Sequence, residues 1–310
     1  MTKRKASLAL VAVLASGCIA TPPTNSQINT AVRERVVNQP PANASPAPTA
    51  APATNAAENF VVNSVAVGQN ALLANNLGWT FGGKSQRGWR LYTLLINRMI
   101  NTEENINTNR FAAALARWQQ GAGLAPSGVL DGDTLYGMIS VWQSRRIKDR
   151  IYPHPRQLIT APASEFYDPT REVELRQVER EAYNAYKRML AAAIADKSLG
   201  LQTTANNELA ASEKRLKIIS SFRSREYQER LRRLSPGAGR AGLAVNSPHF
   251  TGRALDLYVG GDPVETVDWN RAIQVKTSVY KWLVKNAERF GFHPYYYEPW
   301  HWEYIPQEVK

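Results

Sequence analysis

Ser247-Pro248-His249-Phe250-Thr251-Gly252-Arg253-Ala254-Leu255-Asp256-Leu257 sets a histidine ahead of a glycine turn and an aspartate inside a short apolar run. Side chains alternate along a strand, so Asp256 shares a face with Ala254 and Tyr258, while Leu255 and Leu257 point the other way, toward a core. A carboxylate in such a place needs a partner, because burying an unpaired charge is strongly unfavourable. A divalent metal held jointly with His249 would supply one, since zinc accepts imidazole nitrogen and carboxylate oxygen ligands. Downstream, Glu298-Pro299-Trp300-His301-Trp302-Glu303-Tyr304 offers a third ligand. The short Glu298-to-His301 spacing lets the imidazole bind metal while the carboxylate reaches a nearby water. Two histidines and one aspartate would leave the fourth position of a catalytic zinc open. Glu298 would then take a proton from the water and deliver it to a departing amine, as amide hydrolysis requires. On spacing alone, the same residues also fit histidines satisfied at strand ends.

The ordered set Ser247-x-His249-x-x-Gly252-x-Ala254-x-Asp256, then Glu298-Pro299-Trp300-His301, resembles the zinc D-alanyl-D-alanine carboxypeptidases of the VanY type. Upstream, Ser220-x-Phe222-Arg223-Ser224-x-x-x-Gln228 resembles a Ser-x-Tyr-Arg-Ser segment of the same family. The resemblance runs from about Glu179 to the C-terminus and skips an apparent insertion at residues 201–214. It implies an α+β fold for residues 170–310, a small antiparallel-sheet zinc peptidase domain of the Hedgehog and DD-peptidase kind. It also implies Zn2+ held by His249, Asp256 and His301, with Glu298 as catalytic base. Arg223 would bind substrate and offset negative charge developing on the scissile carbonyl. Ser247, Gln228 and Trp300 complete the substrate-binding set expected from the resemblance. Phe222 stands where tyrosine is common; it keeps the ring and loses the hydroxyl.

His293, after Gly291-Phe292 at the end of a helix expected over residues 277–290, reads as structural or as a neighbour of the site. His154, between prolines, reads as exposed. Of the dense aromatic stretch Tyr295, Tyr296, Tyr297, Trp300, Trp302 and Tyr304, alternate members should pack in the sheet while the others wall a groove. Arg230, Arg232, Arg233 and Arg240 read as a solvated basic face that could also meet anionic wall polymers. Farther upstream, residues 171–196 read as one long charged helix burying Val173, Leu175, Val178, Ala182, Tyr183, Tyr186 and Leu190, and residues 216–219 as a strand.

Residues 75–150 read as a helical domain. Trp89, Tyr92, Leu95, Ile96 and Met99 recur at three- and four-residue steps, and Phe111, Leu115 and Trp118 line a second helix over residues 108–120. Gly121 and Gly123 can end that helix, and Asp131 or Asp133 can cap a third, carrying Leu135, Met138, Ile139 and Trp142. The run from Phe111 to Leu135, with Trp118-Gln119, Gly123-Leu124, Ser127-Gly128, Leu130-Asp131 and Thr134-Leu135, resembles the three-helix peptidoglycan-binding domain found beside wall-processing enzymes. That resemblance implies a polymer-binding module ahead of the catalytic one.

Lys3, Arg4 and Lys5 followed by an apolar run at residues 6–15 form a secretory signal over residues 1–17, too short to span a bilayer of roughly 30 Å. Leu14-Ala15-Ser16-Gly17-Cys18 resembles a bacterial lipobox, with Ala15 at the place usually held by leucine, and implies lipidation of Cys18. Residues 19–60 are poor in large apolar residues and rich in proline, and read as a disordered tether. The 310 residues allow about two domains. A net charge of +12 favours anionic surroundings, and a single cysteine excludes an internal disulfide or a cysteine-built zinc site. No nucleic-acid recognition motif accompanies the charge. The expectation is an exported lipoprotein of the bacterial envelope, anchored to the membrane through its lipid and acting on peptidoglycan stem peptides without an obligate protein partner. Its reaction would be zinc-dependent removal of the terminal D-alanine. The alternatives are an L,D-carboxypeptidase or stem-peptide endopeptidase of the same fold, and a non-catalytic wall-binding lipoprotein.

Overall fold

Caps and hydrophobic spacing build the first half of the molecule. The computed structural model describes residues 64–238 and 243–306; the signal segment, Cys18, the proline-rich stretch and Arg240 lie outside them. Helix α1 (Ser64–Asn76) leads into a hairpin of β1 (Gly78–Phe81) and β2 (Lys84–Arg87). The two-residue Gly82-Gly83 turn has φ of 59° and 80°, a conformation that suits the twist of paired strands and that glycine adopts without strain. A 3-10 turn at Arg90–Tyr92 precedes α2 (Thr93–Met99), so this helix is shorter than its apolar spacing suggests. Thr108 caps α3 (Asn109–Gly121) by accepting from the Phe111 amide. Asp131 caps α4 (Gly132–Ser144) through the Thr134 amide, which decides between the two candidate aspartates. Phe111, Leu115, Leu135 and Met138 are fully buried between these helices, and Gly123 turns the chain with φ of 72°.

Residues 171–196 are not one helix. A 3-10 turn at Val173–Arg176 and strand β4 (Gln177–Glu179) come before α5 (Arg180–Ala195). Strand β4 pairs antiparallel with β3 (Leu158–Thr160), which buries Val178, and the Glu179 carboxylate caps the helix through the Ala182 amide. Pairing and cap together fix the helix start at Arg180, leaving Val173 exposed.

A four-stranded antiparallel sheet follows, made of β5 (Ile218–Ser220), β6 (Ala254–Leu257), β7 (Phe292–Pro294) and β8 (His301–Tyr304) in the order β5-β6-β8-β7. The fold class is therefore α+β with small antiparallel sheets, as expected. One face of the sheet carries Ile218, Leu255, Leu257, Phe292 and Trp302, all buried in a core shared with Ala182, Tyr186 and Met189 of α5 and with Val279 and Leu283 of α8 (Ser278–Asn286). Helices α6 (Arg225–Leu234) and α7 (Asp268–Gln274) flank the sheet in sequence. Among the described residues, no helix is long and apolar enough to cross a membrane.

Candidate metal centre and active site

Strand register brings the chemistry together. Asp256 of β6 stands opposite His301 of β8 on one side and opposite Ser220 of β5 on the other. Directly opposed residues share a face of the sheet, so this row of three projects away from the leucine face. His249 arrives from a 3-10 turn at Pro248–Thr251, begun by Ser247, whose hydroxyl accepts from the His249 amide. Gly252 closes the turn with φ of +68°. A Cβ there would sit 3.0 Å from the Glu179 amide nitrogen, so both the conformation and the close approach of β4 call for glycine.

Three ligand-type atoms converge. Asp256 Oδ1 lies 2.9 Å from His301 Nδ1 and 3.3 Å from His249 Nε2, and one atom from each of these side chains falls within 4.8 Å of the others. Every remaining polar atom of the trio has a partner of its own. His249 Nδ1 is 2.7 Å from the Ser221 carbonyl oxygen, so it donates there and turns the Nε2 lone pair inward. His301 Nε2 is 3.1 Å from the Glu303 carboxylate, which makes it the donor and leaves Nδ1 toward Asp256. The Arg223 guanidinium donates to Asp256 Oδ2. Histidine ligands of metals are held in this way by outer carboxylates and carbonyls. The donor set, two imidazoles and a carboxylate with their outer atoms occupied, fits zinc.

Glu298 completes the site, with Oε2 3.9 Å from His301 Nδ1 and the residue 6 % exposed. Burial pushes its carboxyl up to about 8. Burial pushes His249 down to about 4, with the charge of Arg223 acting in the same direction. For His301, burial acts downward, but the hydrogen bonds to Asp256 and Glu303 outweigh it and bring the imidazole up to about 9. Burial would also raise Asp256, yet the charges of His249 and Arg223 and its hydrogen bonds hold it well below the usual carboxylate range.

The other expected site residues are placed as follows. Arg223 is 7 % exposed, and its donors go to Asp256, to Ser220 Oγ at 2.9 Å and to Gln228 Oε1 at 3.3 Å. Gln228 in turn donates to the Ala244 carbonyl. In this arrangement the pair braces Asp256. Ser247 spends its hydroxyl on the turn cap, and Trp300 is buried in the apolar core. The aromatic stretch differs from the expected alternation: Tyr295, Tyr296, Tyr297, Trp300, Trp302 and Tyr304 are all buried. The reason is a cover from the first half of the chain, where Phe81 of the hairpin meets all three consecutive tyrosines and Trp142 stacks on Tyr296. Phe222 packs edge-on against Tyr152. His293 pairs with Glu303 across β7 and β8 and lines an open groove with Glu288 and Arg145, apart from the ligand atoms. Reading the sequence missed Glu303. The available signal was its place two residues after His301 on one strand, which puts both on one face.

Comparison with known families agrees with this geometry. Residues 175–307 match the model of the VanY family, D-alanyl-D-alanine carboxypeptidase, and form a domain of that family. No curated protein matches the chain.

Proposed function

We propose that the VanY-family domain at residues 175–307 is a zinc-dependent D,D-carboxypeptidase that removes the terminal D-alanine from peptidoglycan stem peptides. The observation that carries this reading is the convergence of His249 Nε2, Asp256 Oδ1 and His301 Nδ1 beside the buried carboxyl of Glu298. His249, Asp256 and His301 would hold the metal, which when bound supplies Lewis acidity to a water and to the scissile carbonyl. Glu298 accepts a proton from the attacking water as its oxygen bonds to the carbonyl carbon. The same carboxyl returns the proton to the amine nitrogen as the amide C–N bond breaks, giving the shortened peptide and free D-alanine. Burial suits Glu298 to this shuttle by keeping its protonated form accessible near neutral pH. Arg223 fixes the orientation of Asp256, and its charge lies close enough to favour an anionic substrate group or a developing oxyanion.

The same proposal places the protein in the bacterial envelope, exported by the signal at residues 1–17 and anchored through a lipid on Cys18. The helices of residues 75–150 would bind wall polymer and raise the local substrate concentration. Mass spectrometry of stem pentapeptide and tetrapeptide muropeptides after incubation with the protein tests the reading. Loss of one alanine from the pentapeptide, abolished by a chelator and restored by zinc, is the expected result. Shortening of the tetrapeptide alone would indicate L,D cleavage, and a cut inside the stem an endopeptidase. Unchanged substrates under every condition would overturn the enzyme in favour of a wall-binding protein.

A further inference from the structure

Among the described residues ahead of the VanY-family match, the segment just past α4 reaches a partner of a candidate metal ligand. Glu303 is 1 % exposed, follows His301 on β8 and accepts from its Nε2. Its neutralising partners come from the segment just past α4. Arg146 donates to Glu303 Oε1 through Nε at 2.8 Å and through a second guanidinium nitrogen, and the Ile147 amide donates to Oε2 at 2.7 Å. The Arg146 guanidinium lies 3.9 Å above the Tyr295 ring, and Nη1 contacts Gln143 Oε1 at 3.4 Å, which fix the plane of the fork. Two further contacts tie the same segment to both flanks of the His249 turn. Asp149 pairs with Arg253 at 2.7 Å, and Arg150 Nε donates to the Asn246 carbonyl at 3.2 Å.

We propose that Arg146 is a positioning residue for the metal centre, acting through Glu303 on His301, so that residues 146–150 belong to the peptidase although they precede the family match. The inference rests on the reading of His249, Asp256 and His301 as metal ligands. Its physical basis is simple. A buried carboxylate holds one orientation only where donors satisfy its oxygens. Arg146 and the Ile147 amide compensate Glu303, and Glu303 then holds the Nε2 proton of His301 and aims Nδ1 at the metal position. Without the fork, Glu303 turns away, and the His301 ring loses the acceptor that sets its tautomer and angle. Loss of such outer partners weakens metal binding by about 10- to 100-fold.

The test is zinc affinity of the full chain by competition with a chromogenic chelator, alongside the absorption spectrum of the cobalt-substituted protein. Arg146→Ala and Glu303→Ala should each weaken zinc binding by about 10-fold or more, and the double variant should be little weaker than either, because both break one connection. Arg146→Lys keeps a charge but loses the fork and should fall between, with an altered cobalt spectrum. Lys281→Ala, at an exposed position of α8 away from this segment, should match the parent. If Arg146→Ala does not fold, Arg146→Lys and Glu303→Gln carry the comparison, since both preserve a polar partner. Parent-like zinc affinity and cobalt spectra in the Arg146 variants, or fully additive losses in the double variant, would overturn the inference while leaving the ligand reading intact. A parent chain that binds no zinc would remove the ligand reading and the inference with it.

Discussion

The two halves of the molecule bury polar side chains in different ways. Among the described residues before residue 146, the buried polar side chains are Asn70, Gln119 and Thr134, all neutral. Each is spent on bracing one loop: Asn70 bonds Gly128 and Leu130, and Gln119 bonds Gly128, Val129 and Thr134. In the second half, the buried set includes Glu213, Arg223, His249, Asp256, Glu298, His301 and Glu303. Neutral groups with all partners in place cost a fold little, whereas buried charges must be matched one by one. The contrast teaches where to look: a concentration of mutually compensating buried charge marks the place where the chain gives up easy stability for chemistry.

The sharpest break would come at the ligands. Asp256→Ala or His301→Ala should abolish zinc binding, measured by metal analysis after dialysis, and lower carboxypeptidase turnover by about 10⁴-fold or more. Next in size is Glu298→Gln, which should retain zinc yet lose about 10³-fold in kcat, the scale of a general acid–base residue. Retained turnover in that variant would sink the proton-shuttle role. On the neutral side of the comparison, Phe111→Ala removes a fully buried ring stacked on Trp89. A loss of about 3–5 kcal/mol is expected from chemical denaturation, with the zinc stoichiometry of the folded fraction unchanged.

The smallest effect concerns a buried charge outside the site. Burial pushes the Glu213 carboxyl up, but hydrogen bonds from the Arg215 guanidinium and from the Gln202 and Arg215 amides outweigh this and bring it down to about 2. A carboxyl lowered on folding stabilises the native state above its unfolded pKa of 4.5 and loses that contribution as the pH falls toward 2. Glu213→Gln should therefore cost on the order of 2 kcal/mol at pH 7 and almost nothing near pH 2. Denaturant titrations at several pH values, with equal differences throughout, would refute the assignment.

Much of the site was legible because its residues are close in sequence and their types are chemically restrictive. His249 and Asp256 flank one glycine turn, and Glu298 and His301 lie within one turn-strand unit. The α2, α3 and α4 helices were legible from apolar spacing and from Thr108 and Asp131. Helix α1 was not, because its buried positions are Ala66, Asn70 and Ala74 while Val65 and Leu72 face solvent, so its apolar residues mark no face. The hairpin did carry a signal, Gly82-Gly83 after Trp79-Thr80-Phe81, which names a two-residue turn. The start of α5 depended on pairing with β3, well upstream, and the partner of Glu303 lies 157 residues away. Local pattern does not reach such distances.

Strand β3 has a practical consequence for protein engineering. Its pairing with β4 covers Val178, and Phe166 bridges to Ile218 at the edge of the main sheet, both ahead of residue 175. An expression boundary drawn at the start of family similarity would strip an edge strand and open a line of backbone donors and acceptors to self-association. A transplantable cassette therefore begins well before Leu158, and chimaeras joined at residue 175 should aggregate where those that keep residues 64–174, with β3 and the Phe81 and Trp142 cover, stay in solution.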